Sequence, residues 1–148
     1  MTDSQDSPRL KNLLCHRLYT ASNAITRTYR SFLENLNLTY PQYITMIALW
    51  EKDNLSVKEL HQITEIDNGC LSLMLKKMVE KKLITLAPCS KDKRIKYVRL
   101  TKMGRQLEAT AKLEKNKIEQ TRTKRLTEEE YNQLVDLLDK LKNNLLQK

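Results

Sequence analysis

Two helix-start signals only eleven residues apart, Ser56 and Asp67, constrain this chain more than any other feature. Ser56-Val57-Lys58-Glu59 has the form of a capping box, in which a serine hydroxyl and a glutamate three residues on satisfy the first free amides of a helix. Val57, Leu60 and Ile63 then fall on one inward side. Asp67 can cap a second helix, which runs through Leu71, Leu75, Met78 and Val79 to about Lys82. Two short helices joined by a tight turn predict a helix-turn-helix.

The flanking segments follow from the same kind of signal. Ser7-Pro8 opens a first helix that continues through Leu36, with Leu10, Leu14, Leu18, Ile25, Phe32 and Leu36 on a common side. Thr39-Tyr40-Pro41-Gln42 starts a second helix, apolar nearly all round from Tyr43 to Trp50, which marks it as the buried centre. After Lys82 the period changes. Leu83 to Ala87 and Ile95 to Leu100 are strand-prone, and the polar loop between them has hairpin length, which predicts a wing. Thr101 caps a helix to about Thr123, and Thr127-Glu128-Glu129-Glu130 opens a last one bearing Tyr131, Leu134, Val135, Leu138, Leu141 and Leu145.

Two glycines and three prolines in 148 residues leave little turn chemistry for an all-β fold. The expected class is therefore mainly α with a small β wing, a single unit over 1–148 with a winged helix-turn-helix at 39–100. The helices at 8–36 and 101–148 would expose apolar stripes, so they are read as dimerisation helices of a homodimer. A monomeric three-helix cap is the other way to bury them.

Charge points to the partner. Between Lys76 and Arg105 eleven cations face only Glu80 and Asp92, which accounts for the whole net charge of +9 and leaves the remainder neutral. Such concentration fits a polyanion-binding surface better than uniform solvation. RNA is disfavoured because the basic segment offers only Tyr97 as a stacking platform. In a reading helix the N-terminal residues reach base edges and nearby cations hold phosphates. That assigns Asn68, Cys70 and Ser72 to the major groove and Lys76 and Lys77 to the backbone. Cys70 and Leu73 either pack internally or face DNA, Leu73 then meeting a thymine methyl. A two-fold dimer would read double-stranded DNA as an inverted-repeat operator.

The polar start MTDSQDSPRL and the lack of any apolar run near the roughly 20 residues of a membrane span predict a cytoplasmic protein with no membrane partner. Cys15, Cys70 and Cys89 lack metal-ligand spacing with each other and with His16 and His61, so no metal and no cofactor is expected. On a helix Tyr19 lies four residues after Cys15 and shares its face. Tyr29 shares it too, but about 21 Å further along, so Cys15 and Tyr29 can meet only where a second subunit approaches antiparallel. The plainer reading makes Cys15 a small core hydrophobe.

The stretch "LTYPQYITMIALWEKDNLSVKELHQITEIDNGCLSLMLKKMVEKKLI", followed by "SKDKRIKYVRLTKMGRQL", resembles the MarR family of dimeric winged helix-turn-helix regulators. "LLCHRLY" before "LTYPQY" narrows the resemblance to the organic-hydroperoxide-sensing branch, similar to OhrR proteins. The resemblance implies that Arg94 enters the minor groove, oriented by Asp92 with Lys91 and Lys93 beside it. It further implies that Cys15 is the redox-sensing thiol, supported by tyrosines matching Tyr29 and Tyr40 across the dimer, with Tyr19 nearby.

Lys11 would add positive charge one turn before Cys15, and Leu14, Leu18, Phe32 and Ile47 would wall the site in favour of organic hydroperoxides. No cysteine follows Cys89, which implies the one-cysteine type, in which a small-molecule thiol caps the oxidised sulfur. Many relatives have threonine where this chain has Cys70, another where it has Ser72, and proline where it has Leu73, so its operator preference differs.

Three other functions compete. One is a repressor released by a phenolic or lipophilic ligand, with Cys15 structural. A thiol peroxidase would need a different fold, and the chain has neither Cys-x-x-Cys nor alternating strands and helices, so no enzyme is expected. An architectural DNA-binding protein would bind without sequence preference.

Overall fold

A computed structural model describes residues 9–122 and 125–146. Seven helices and three short strands follow one another as α1 (Leu14–Thr28), α2 (Arg30–Leu36), α3 (Tyr40–Glu51), β1 (Leu55–Ser56), α4 (Val57–Thr64), α5 (Asn68–Glu80), β2 (Ile84–Pro88), β3 (Lys96–Leu100), α6 (Lys102–Arg122) and α7 (Glu128–Leu146), after a single 3-10 turn at Leu10–Asn12. The described residues divide into two compact units, the first ending at Thr110 and the second beginning at Ala111.

The first unit is built on α3. Thr39 and Gln42 cap it reciprocally, with Pro41 in its first turn, and Met46 and Leu49 are completely buried. Around them pack Leu60 of α4, Leu71, Leu75 and Met78 of α5, and Val98 of β3, all at or near full burial. Burial on this scale supplies most of the drive to fold, at about 1.5–3 kcal/mol for each large side chain.

The expected single helix over 8–36 is interrupted twice. Leu13 is extended (φ −84°, ψ 113°) and separates the 3-10 turn from α1. Tyr29, at φ −85° and ψ −6°, separates α1 from α2. At the second break the Thr26 and Thr28 hydroxyls donate to the carbonyls of Asn23 and Ile25. The apolar stripe divides there. Phe32 and Leu36 are buried, whereas Leu10, Leu14, Leu18 and Ile25 are exposed and α1 buries none of its residues. The Ser7-Pro8 start lies outside the described residues.

The helix-turn-helix forms where its caps place it. Ser56 and Glu59 complete their capping box at 2.7 and 3.1 Å, and Asp67 accepts from the amides of Gly69 and Cys70. Ile63, expected to face inward, is exposed because Leu60 takes the one fully buried place on so short a helix. Helix α5 stops at Glu80, short of Lys82. Lys82 adopts the left-handed conformation (φ 59°) and passes its amide to Val79, while the Leu83 amide reaches the Met78 carbonyl, a pattern that ends helices sharply.

Strand β2 lies one residue later than expected, and β3 starts one residue later but ends at Leu100 as expected; the two are antiparallel, with Leu86 opposite Val98. A third strand was not foreseen. Strand β1 pairs with β3 through Leu55 opposite Val98 and Ser56 opposite Tyr97, giving the order β1-β3-β2. It is two residues long, and Ser56 serves both the sheet and the α4 cap, so no alternation announces it.

Thr101 caps α6 by accepting from the Gly104 amide and donates back toward the Lys82 and Leu83 carbonyls. The approach is so close that a Cβ on Gly104 would run into the Leu83 carbonyl oxygen. This is the requirement behind the glycine of "LTKMG".

In the second unit Thr127 and Glu130 cap α7 reciprocally. Helix α7 buries none of its residues and leaves Leu134, Leu137, Leu138, Leu145 and Leu146 exposed.

Candidate nucleic-acid interface and thiol site

The outer side of α5 is open. Asn68, Cys70, Ser72, Leu73, Lys76 and Lys77 are all exposed, with Leu71, Met74, Leu75 and Met78 anchoring the opposite side. Leu73 is 65 % exposed, so it does not pack within the chain, and Cys70 is exposed as well.

The wing loop closes through two backbone bonds, Cys89 to Ile95 and Ile95 to Asp92. Inside it Asp92 accepts from Arg94 three times, at 3.0 Å each: once from the backbone amide, once from Nε and once from Nη2. The Arg94 side chain is nonetheless 90 % exposed, held in orientation and open to a partner. The guanidinium holds the Asp92 carboxyl below the usual carboxylate range, helped by the Arg94 amide, and Asp92 in turn raises Arg94. Lys91 and Lys93 flank it, both exposed.

Not every cation of the basic stretch is free for a polyanion. The Lys81 ammonium donates to the Asn37 carbonyl at 2.6 Å and to Gln42 Oε1 at 2.9 Å, tying the end of α5 to the start of α3. Arg99 donates to Asn54, and Arg105 pairs with Asp53 at 2.6 Å. Asp53 also accepts from the Leu100 amide and so anchors the root of the wing. Sequence reasoning missed this anchor. An Asp-Asn pair signals a turn, but its partners lie some 50 residues on and leave no local trace.

Cys15 stands exposed on α1, with Tyr19 exposed one turn on. Tyr29 and Tyr40 are brought together: their rings meet edge to face at 5.8 Å, in a cluster that continues through Phe32 and Tyr43 to Trp50. Such pairs add about 0.5–1.5 kcal/mol beyond burial. Within one chain the length of α1 separates Cys15 from this cluster by about 21 Å. Lys11 does not lie one helical turn before Cys15, because the extended Leu13 intervenes; instead the Lys11 carbonyl accepts from the Arg17 guanidinium. Of the expected walls, Leu14 and Leu18 are exposed, Ile47 is half-buried and Phe32 belongs to the core.

Among the described residues no group of three or more His, Cys, Asp or Glu is placed to hold a metal, and no helix is long and apolar enough to cross a membrane.

Comparison with known proteins adds four findings. Residues 27–111 match the family described as transcriptional regulator SarA/Rot. The chain is 38 % identical over 111 residues to the organic hydroperoxide resistance transcriptional regulator of Bacillus subtilis, covering 75 % of this chain and 76 % of that one. It is 30 % identical over 100 residues to the HTH-type regulator SarZ of Staphylococcus aureus, covering 68 % of each. Among solved structures, a cysteine-to-serine mutant of MarR from E. coli complexed with operator DNA superposes with a TM-score of 0.79 at 27 % identity, over 86 % of this chain and 92 % of that one.

Proposed function

This chain belongs to the SarA/Rot family of transcriptional regulators and has the MarR-type winged-helix fold, and from that premise we propose that it is a homodimeric DNA-binding repressor released from its operator when Cys15 is oxidised by an organic hydroperoxide. The likeness to a hydroperoxide resistance regulator across three quarters of both chains carries this reading, together with the exposed Cys15 and the paired Tyr29 and Tyr40 rings. A second copy covers the apolar stripes of α1 and α7, each of which buries none of its own residues. Antiparallel approach of the two α1 helices brings Cys15 of each subunit to the Tyr29 and Tyr40 of the other, where phenolic hydroxyls donate to the thiolate.

On DNA, α5 occupies the major groove through Asn68, Cys70 and Ser72, with Lys76 and Lys77 on phosphates. The wing places Arg94 in the minor groove, oriented by Asp92 and flanked by Lys91 and Lys93. The two-fold axis makes the operator an inverted repeat.

The Cys15 thiolate attacks the terminal oxygen of the hydroperoxide. A sulfur–oxygen bond forms, the oxygen–oxygen bond breaks, and the alkoxide leaves and takes a proton from water to become the alcohol. Sulfur is oxidised by two electrons and the peroxide reduced by two. A small-molecule thiol then attacks the sulfenic acid, forming a mixed disulfide and releasing water. The bulk of that cap in the subunit interface shifts the spacing of the two reading helices. The oxidant is consumed once per site, so the protein is a regulator and not an enzyme. It works in the cytoplasm, where thiols are kept reduced.

Binding to duplexes selected from a random pool, by wild type and Cys15→Ser, before and after cumene hydroperoxide with free cysteine, tests the proposal. Wild type is expected to release DNA and Cys15→Ser to hold it. Release of both would move the sensing elsewhere. Release of reduced protein by a phenolic acid would favour a ligand-responsive repressor with Cys15 structural.

A further inference from the structure

We propose that the outward ridge formed by Gly69 and Leu73 selects thymine in the operator by its methyl group, with Leu73 as the specificity-determining residue. The proposal rests on the reading of α5 as the helix that enters the major groove.

Leu71, Met74, Leu75 and Met78 fix the inner side of α5. Directly opposite, at steps of three and four residues, come Gly69, Leu73 and Lys76, with Ser72 and Lys77 to either side. Leu73 therefore projects away from the core, and 65 % of it lies in water. Its neighbours along that side of the helix are Gly69, Cys70, Ser72, Lys76 and Lys77, only one of them a small hydrophobe. A protein partner would need a wider apolar surface, whereas one branched side chain among phosphate-binding cations fits a single methyl group. The thymine C5-methyl is the one apolar feature on the major-groove edges of the bases.

Gly69 supports the same conclusion. Its φ is not positive, so no left-handed turn requires it. A Cβ there would come within 3.2 Å of the Asp67 carboxylate oxygen that the Gly69 and Cys70 amides hold as the cap of α5, so glycine also leaves that cap room. One turn ahead of Leu73, its bare backbone lets the start of the helix sit closer to the base edges. Glu80 ends the ridge on the far side and confines the reading to the first two turns.

The test uses duplexes selected from a random pool with the full-length protein. Each thymine is replaced in turn by deoxyuridine, which removes the methyl group alone. For wild type, one thymine per half-site is expected to show a loss of about three- to tenfold. Leu73→Ala is expected to bind more weakly by a similar factor and to ignore uracil at that position. A wild type indifferent to uracil everywhere, or a Leu73→Ala protein that keeps the full uracil penalty, overturns the inference while leaving the DNA-reading role of α5 intact. A selection that returns no preferred sequence overturns that role, and the inference with it.

Discussion

Asp92 grips Arg94 at three points, each 3.0 Å long, within a loop that leaves the arginine side chain almost wholly in water. An exposed ion pair of this kind stabilises a fold very little. Its effect is to fix an orientation before binding. Arg94→Ala is expected to weaken operator binding about 10- to 100-fold and to lower the salt slope by about one counterion. Asp92→Asn keeps the cation but frees it, and should cost less than Arg94→Ala with the salt slope unchanged. Fluorescence anisotropy at several salt concentrations distinguishes the two.

The same pair has a pH signature. The folded Asp92 carboxyl titrates below its ordinary range because the Arg94 guanidinium hydrogen-bonds its charged form. Its contribution is therefore present above the unfolded pKa and is lost as pH falls through the lower, folded one. A carbon-detected NMR titration should place the Asp92 midpoint below that of an unstructured aspartate, and Arg94→Gln should return it upward.

Gly104 donates its amide to Thr101 and accepts the Trp50 indole at 2.9 Å, while its missing Cβ leaves room for the Leu83 carbonyl. Gly104→Ala forces α6 away from the start of β2. It is expected to lower stability by about 1–3 kcal/mol in urea unfolding, the usual range for overpacking against an unyielding backbone.

Lys82 occupies the left-handed region at φ 59°, and its backbone makes the contacts that end α5. Lys82→Gly removes the Cβ clash of that conformation. Offset by the greater freedom of glycine in the unfolded chain, the gain is expected to be positive but under about 1 kcal/mol. Thermal unfolding measures it.

How far the fold could be read from the sequence depended on whether its determinants were local. The caps at Thr39, Ser56, Asp67, Thr101 and Thr127 each use a side chain within three residues of the amides it binds, and all five were visible. The break at Tyr29 was missed because hydrophobic period alone runs through it. Strand β1 and the Asp53 anchor rest on partners more than 40 residues away.

The thiol site divides the same way. The shared face of Cys15 and Tyr19 follows from helical spacing, whereas the meeting of the Tyr29 and Tyr40 rings depends on the turn between α2 and α3.

Whether oxidant acts at Cys15 is read out by peptide mass mapping of all three cysteines alongside DNA binding. Reduced protein is titrated with cumene hydroperoxide in the presence of free cysteine. A cysteine adduct is expected to accumulate at Cys15 in proportion to the DNA released, with Cys70 and Cys89 unmodified until later. An adduct at Cys70 or Cys89 that tracks the release, or release with Cys15 still a free thiol, would contradict that expectation.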